Sequence, residues 1–134
     1  MPEFGRTSNE RLKTLDWKLL MIVEDAIQIT DFTVLETYRN PTRQDVLFAQ
    51  GLSKARGGDS KHNVFPSRAI DVAPYPIDWE DTERFVKLAG VFEAVAYNLG
   101  LSDELRWGGD WDSDNRLTEE TFRDYGHFEL IDYP

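Results

Sequence analysis

The chain has 134 residues, a formal charge of −10, 40% hydrophobic residues and no cysteine. That length fits one domain able to bury a core unaided, and the missing cysteine removes disulfides, thiolate metal knuckles and thiol nucleophiles. The acidic excess opposes contact with phosphate backbones, which relies on Lys and Arg displacing counterions, so no nucleic acid partner is expected.

From the N-terminus, Thr7 and Glu10 have the spacing of a capping box. Leu12, Leu15, Leu19, Ile22, Val23, Ala26 and Ile27 then recur at helical spacing, which predicts one or two amphipathic helices with a possible restart at Asp16. Phe32 to Tyr38, rich in aromatic and β-branched residues, predicts a strand. Asn40 and Pro41 supply the N-cap and first turn of a helix running to about Leu52. Ser53 to Pro66 is polar and carries Gly57 and Gly58, so it reads as a loop, and Ala69 to Val72 reads as a strand.

Asp78 is placed to cap a helix whose apolar face is Phe85, Leu88, Ala89, Phe92, Val95, Ala96 and Leu99, with Gly100 closing it. Leu105 to Trp107 predicts a short strand, Gly108 to Glu120 an acidic loop, and His127 to Ile131 a final strand. Strands separated by helices, with no Gly-rich nucleotide loop and no repeats, point to a single α+β domain over residues 1–134 with a largely antiparallel sheet. No segment has the roughly 20 apolar residues of a membrane span, and the N-terminal stretch lacks the apolar core of a signal peptide.

Chemistry concentrates around the only two histidines. His62 ends the polar loop. Asp71 follows on a strand face shared with Ala69 and Ala73, where a carboxylate among small apolar neighbours needs a partner. His127 opens the last strand, and Asp124 precedes it by three residues. Two imidazoles and a carboxylate from separate segments match a catalytic zinc site with a fourth position left for water, and Asp124 could take that water's proton. The plainer alternative is a hydrogen-bonded surface histidine and a carboxylate that caps or pairs locally.

On these residues the chain resembles the zinc peptidases that include the D-alanyl-D-alanine carboxypeptidases and the L-alanyl-D-glutamate endopeptidases of phage lysins and bacterial wall enzymes. Their pattern is Ser-x-His, a spacer, Ala-x-Asp, and far downstream an acid three residues before a final His. Here it falls on Ser60 and His62, Ala69 and Asp71, and Asp124 and His127. A second block from Tyr38 to Ala55, with Arg39, Gln44 and a closing Gly-x-Ser-Lys, also resembles the family. Two departures stand out: the spacer from His62 to Asp71 is two residues longer than the commonest family form, and the acid is Asp124 where the carboxypeptidases often have Glu.

The resemblance implies an antiparallel sheet flanked by helices, of the Hedgehog and DD-peptidase kind. It further implies one Zn2+ on His62, Asp71 and His127, with Asp124 as general base. Arg39 would hold a substrate carboxylate or the developing oxyanion, as the fixed fork of a guanidinium suits, unless it forms a surface salt bridge. Gln44 and Ser60 are weaker candidates for substrate contact or ligand support, or are local cap and turn residues.

The expected activity is hydrolysis of the L-Ala–D-Glu bond of the peptidoglycan stem peptide by a monomer. The alternatives are a D-Ala-D-Ala carboxypeptidase with the same zinc mechanism and a non-catalytic wall-binding or virion module. Without a signal peptide, the expected route is synthesis in the host cytoplasm followed by release through a holin pore, or carriage on a virion. Trp107 and Trp111 could line a peptide groove or belong to the core. Asp110, Asp112 and Asp114 alternate as in a calcium loop, although Asn115 occupies the place of the turn glycine, so Ca2+ there competes with a solvated acidic loop.

Overall fold

In chain order the elements are helix α1 (Arg6–Leu12), helix α2 (Trp17–Ala26), strand β1 (Phe32–Glu36), helix α3 (Pro41–Ala49), a 3-10 turn (Lys61–Asn63), strand β2 (Ala69–Pro74), helix α4 (Thr82–Asn98), strand β3 (Leu105–Trp107) and strand β4 (His127–Leu130). The structure, a computed structural model, describes residues 2–52, 57, 58, 60–109 and 124–131. The four strands form one sheet in the order β1-β2-β4-β3, and every neighbouring pair is antiparallel. This is the small α+β domain expected. Among the described residues, no helix is long and apolar enough to cross a membrane.

The sheet separates its two faces cleanly, as strand alternation dictates. Ile70 and Val72 of β2, Phe32 and Val34 of β1, and Phe128 and Leu130 of β4 join one buried cluster with Leu19, Ile22 and Val23 of α2 and Leu88, Phe92 and Val95 of α4. Phe92 stacks on Phe128 with ring centroids 4.2 Å apart and meets Phe32 edge-on at 5.3 Å. Trp107 belongs to this core, and its indole N–H donates to the Tyr125 carbonyl at 2.7 Å; Trp111 lies outside the described residues.

Several boundaries differ from the expectations for local physical reasons. Helix α1 starts at Arg6 behind Gly5, with no side-chain cap, so Thr7 and Glu10 form no capping box. Tertiary contacts set this start: Ser8 is buried and accepts the Val34 N–H at 3.1 Å, while Phe4 packs edge-on against Phe32 at 5.4 Å. The restart at Asp16 is present, its carboxylate accepting the Lys18 N–H at 2.9 Å. Helix α3 stops at Ala49 because Gly51, at φ 74°, reverses the chain and lets Leu52 N–H bond back to the Leu47 carbonyl at 2.9 Å. Asp81, not Asp78, caps α4. Asp78 instead takes the Glu80 N–H at 3.1 Å, which closes a turn ahead of the helix.

Strand β1 contains the irregularity that matters most for function. Its pairing with β2 runs Phe32 to Pro74, Thr33 to Ala73 and Val34 to Val72, then shifts so that Glu36 stands opposite Asp71. Regular alternation would turn Glu36 toward the core with Phe32 and Val34. The one-residue bulge at Leu35 re-aims it onto the polar face.

The Phe92–Phe128 contact ties the longest helix to the strand bearing His127, which yields a stability prediction. Phe92→Ala should lower the unfolding free energy in urea by about 3–5 kcal/mol. A loss below about 1 kcal/mol, the scale of an ordinary surface change, would show that the stack does not anchor α4 to the sheet.

Candidate metal centre

On the face opposite the core, adjacent strands deliver a row of polar groups. Glu36 stands across from Asp71, Asp71 across from His127, and one step along β4 Glu129 stands across from Arg106. His62 joins the row from the 3-10 turn. Ser60 caps that turn by accepting the His62 N–H at 3.1 Å, and the Asn63 side chain accepts the Ser60 N–H at 3.1 Å. The turn is tied to the end of β1 because Arg39 N–H donates to the His62 carbonyl at 2.7 Å and Asn63 Nδ2 donates to the Arg39 carbonyl at 2.8 Å.

These connections converge on Asp71. Its Oδ1 lies 3.2 Å from His62 Nε2 and 2.9 Å from His127 Nδ1. The two imidazole rings are 5.1 Å apart, centroid to centroid. His62, Asp71 and His127 each offer a ligand atom, all within 4.8 Å of one another, and form the one such group among the described residues. On the outer side, Asp71 Oδ2 receives Arg39 Nη2 at 3.5 Å.

The imidazole nitrogens have defined roles. His62 Nδ1 lies 2.6 Å from the Thr37 carbonyl, which can only accept, so Nδ1 carries the proton and Nε2 presents its lone pair to Asp71. That Nε2 is fully buried, on a side chain 2% exposed, and makes no hydrogen bond. His127 Nε2 faces Glu129 Oε1 at 2.9 Å, which leaves Nδ1 toward Asp71.

Charge completes the fit to a divalent cation. Glu36, Asp71, Asp124 and Glu129 bring four carboxylates, and Arg39, Arg43 and Arg106 bring three guanidiniums, Arg43 sharing Glu36 with Arg39. Neutral imidazoles leave one negative charge over. A buried lone pair pointing at a carboxylate oxygen is costly on its own and is relieved when a cation lies between the two. The donor set of two nitrogens and one oxygen is that of a three-ligand site with an open position. A metal ion would thus be held by His62 Nε2, Asp71 Oδ1 and His127 Nδ1.

The protonation equilibria follow from the same contacts. Burial pulls His127 down, but its hydrogen bonds to Asp71 and Glu129 and the charges of Asp71 and Asp124 outweigh that and push it up to about 10. Burial raises Asp71, yet both histidines hold it well below the usual carboxylate range. Asp124 is raised above its ordinary value, first by burial and next by the charge of Asp71, against the lowering effect of His127, His62 and Arg39.

Backbone contacts fix Asp124 at the head of the turn into β4. Its N–H donates to the Gly108 carbonyl at 2.8 Å, and its carbonyl accepts the His127 N–H at 3.0 Å. A Cβ on Gly108 would fall 2.2 Å from the Asp124 carbonyl oxygen, so only glycine permits this approach.

The other residues singled out from the sequence sit behind this group. Arg39 is buried, its Nε and Nη2 bonded to the two oxygens of Glu36 at 2.9 and 2.6 Å and its Nη1 to Gln44 Oε1 at 2.6 Å. Gln44 is fully buried and Ser60 is occupied as a cap. Asp110, Asp112 and Asp114 lie outside the described residues, and among the described residues the one group able to hold a metal ion is the His-Asp-His one. Sequence reading missed Glu36, Glu129 and the Thr37 carbonyl. Glu129 had a readable signal, since it lies two residues beyond His127 on one strand and therefore shares its face.

A family model described as phage L-alanyl-D-glutamate peptidase matches residues 2–131. The chain belongs to that family. It is therefore an enzyme of a peptidase family. Among solved structures, the crystal structure of the Serratia marcescens L-Ala D-Glu endopeptidase ChiX is similar, with a TM-score of 0.74 and 25% sequence identity over 96% of this chain and 89% of that one. No curated protein sequence matches the chain significantly.

The pH response of the metal-free protein tests this electrostatic arrangement. His127 is raised on folding, so its stabilising contribution is complete below its unfolded value of 6.5 and is lost as pH rises through about 10. Asp71 is lowered, so its contribution is complete above 3.8 and is lost in more acid solution. Chelated protein unfolded in urea should lose stability steadily from about pH 6.5 to 10, and bound Zn2+ should remove much of that decline by displacing the Nδ1 proton. A metal-free stability that stays flat over that range would show that His127 is not paired as described.

Proposed function

We propose that this chain is a zinc-dependent peptidase that hydrolyses the L-Ala–D-Glu bond of bacterial cell-wall stem peptides. The observation that carries the metal dependence is the buried, unbonded Nε2 of His62, converging with His127 Nδ1 on one oxygen of Asp71. Membership of the phage L-alanyl-D-glutamate peptidase family, together with the likeness to an L-Ala D-Glu endopeptidase, supports peptidoglycan as substrate and that bond as the target. The place of action is accordingly the cell wall.

Held by His62, Asp71 and His127, a zinc ion would supply Lewis acidity toward the scissile carbonyl and make a water acidic enough to attack at neutral pH. The chain's own residues carry the proton. Asp124, its carboxyl raised by burial and by Asp71, is the general base that accepts the proton of the attacking water and passes it to the leaving amine.

Arg39 provides fixed positive charge at the edge of the centre. Its bonds to Glu36, Gln44 and Asp71 use four of the five N–H groups of a guanidinium. The fifth, on Nη1, is assigned to a substrate oxygen that gains negative charge during attack, a preorganised donor of the oxyanion-hole kind. Gln44 and Ser60 act indirectly. Gln44 fixes the guanidinium, and Ser60 caps the turn that presents His62.

Digestion of purified peptidoglycan, followed by mass analysis of the products, tests this reading. Peptides with a new N-terminal D-Glu should appear, disappear with chelator and return with Zn2+. Release of terminal D-Ala alone would replace the endopeptidase with a carboxypeptidase, and no product in any sample would favour a wall-binding module. Asp124→Asn should lower turnover by about 100- to 10,000-fold while zinc stays bound; unchanged turnover would remove Asp124 from the mechanism.

A further inference from the structure

The two metal-binding imidazoles are supported from outside in different ways. His62 gives its Nδ1 proton to a neutral backbone carbonyl, that of Thr37. His127 instead faces a buried carboxylate on its own strand, with Glu129 Oε1 2.9 Å from Nε2. The other oxygen, Oε2, accepts Arg106 Nη2 at 2.7 Å, and these two residues are direct register partners of β4 and β3. Glu129 is only 6% exposed, a costly place for a carboxylate unless it is paired. The mechanism above uses neither residue.

The geometry explains why His127 needs such a partner. A neutral imidazole has one ring proton, and His127 has an acceptor at each nitrogen: Asp71 Oδ1 at 2.9 Å from Nδ1 and Glu129 Oε1 at 2.9 Å from Nε2. If Asp71 takes the proton, Nδ1 has no lone pair for a metal ion. If Glu129 takes it, Nδ1 is free to bind. His62 faces no such competition, because the Thr37 carbonyl can only accept and so holds the proton on Nδ1, which leaves Nε2 toward Asp71.

We propose that Glu129, held in place by Arg106, is a positioning residue that keeps the His127 proton on Nε2 and thereby aims the Nδ1 lone pair at the metal. The proposal rests on the metal-dependent reading and adds a residue that the three-ligand pattern does not contain. The carboxylate also makes the imidazole a stronger ligand, while Arg106 occupies its second oxygen and fixes its orientation. A cross-strand ion pair serving the sheet alone would not govern which imidazole nitrogen is protonated.

The test compares wild type, Glu129→Ala and Glu129→Gln by zinc affinity in chelator competition. It adds long-range proton–nitrogen NMR of the zinc-loaded wild type, which is readily assigned with only two histidines in the chain. Glu129→Ala should bind zinc about 10- to 100-fold more weakly. Glu129→Gln, whose side-chain carbonyl accepts the same bond, should recover most of the loss. The spectrum should show His127 protonated at Nε2 and His62 at Nδ1.

Equal affinities in all three proteins, or a zinc-loaded His127 carrying its proton on Nδ1, would overturn the role of Glu129. If Glu129→Ala fails to fold, Glu129→Gln and the wild-type spectrum still decide: a zinc-loaded His127 with Nε2 unprotonated overturns the proposal. A wild type that binds no zinc would instead overturn the metal-dependent reading on which the proposal rests.

Discussion

A carboxylate on a sheet face with alanines for strand neighbours must be compensated or neutralised, and in this chain the polar architecture is arranged around that one group. Asp71 has both oxygens occupied: Oδ1 lies between two imidazoles and Oδ2 meets a guanidinium. Each partner is immobilised in turn, His62 by Thr37 and Ser60, His127 by Glu129, and Arg39 by Glu36 and Gln44. An isolated, partly buried carboxylate of this kind would be pushed toward its neutral form. Surrounded this way it remains an anion, and once both imidazoles are neutral, as ligation requires, a divalent cation would take the place of the displaced proton.

The opposite face of the same strands explains why this cluster holds its shape. Ile70 and Val72 flank Asp71 in sequence, Phe128 lies between His127 and Glu129, and all three side chains are buried in the core with α2 and α4. A shift of the ligands would therefore disturb a close-packed interior. The bulge in β1 reconciles the two demands, since it lets Phe32 and Val34 serve the core while Glu36, four residues after Phe32, serves the site. Site residues on strands with supported rotamers are held more narrowly than residues on loops, as metal coordination requires.

The elements with strong periodicity were legible from the sequence alone. The apolar face of α4, the restart at Asp16, the Asn40–Pro41 start of α3 and the strands carrying Asp71 and His127 all follow from local pattern. The three metal-binding candidates were named from residue type together with a family resemblance, because nothing in the spacing of His62, Asp71 and His127 reveals that β2 pairs with β4 in the register that places Asp71 opposite His127. Features set by tertiary contact were not legible. The start of α1 depends on Ser8 and Phe4 meeting β1, and the clamp of Glu36 on Arg39 depends on a bulge that alternation cannot predict. Of two aspartates three residues apart, either could have capped α4; Asp81 does so while Asp78 closes the preceding turn.

Anomalous diffraction from crystals of the zinc-loaded protein, recorded at the zinc absorption edge, bears on the assignment from which the chemistry follows. One strong peak is expected between His62 Nε2, Asp71 Oδ1 and His127 Nδ1, with no protein atom in the fourth position. A peak elsewhere on the chain, or none at this cluster under conditions where the enzyme is active, would show that the buried histidines and carboxylate form a structural ion-pair network and that the hydrolytic machinery lies elsewhere.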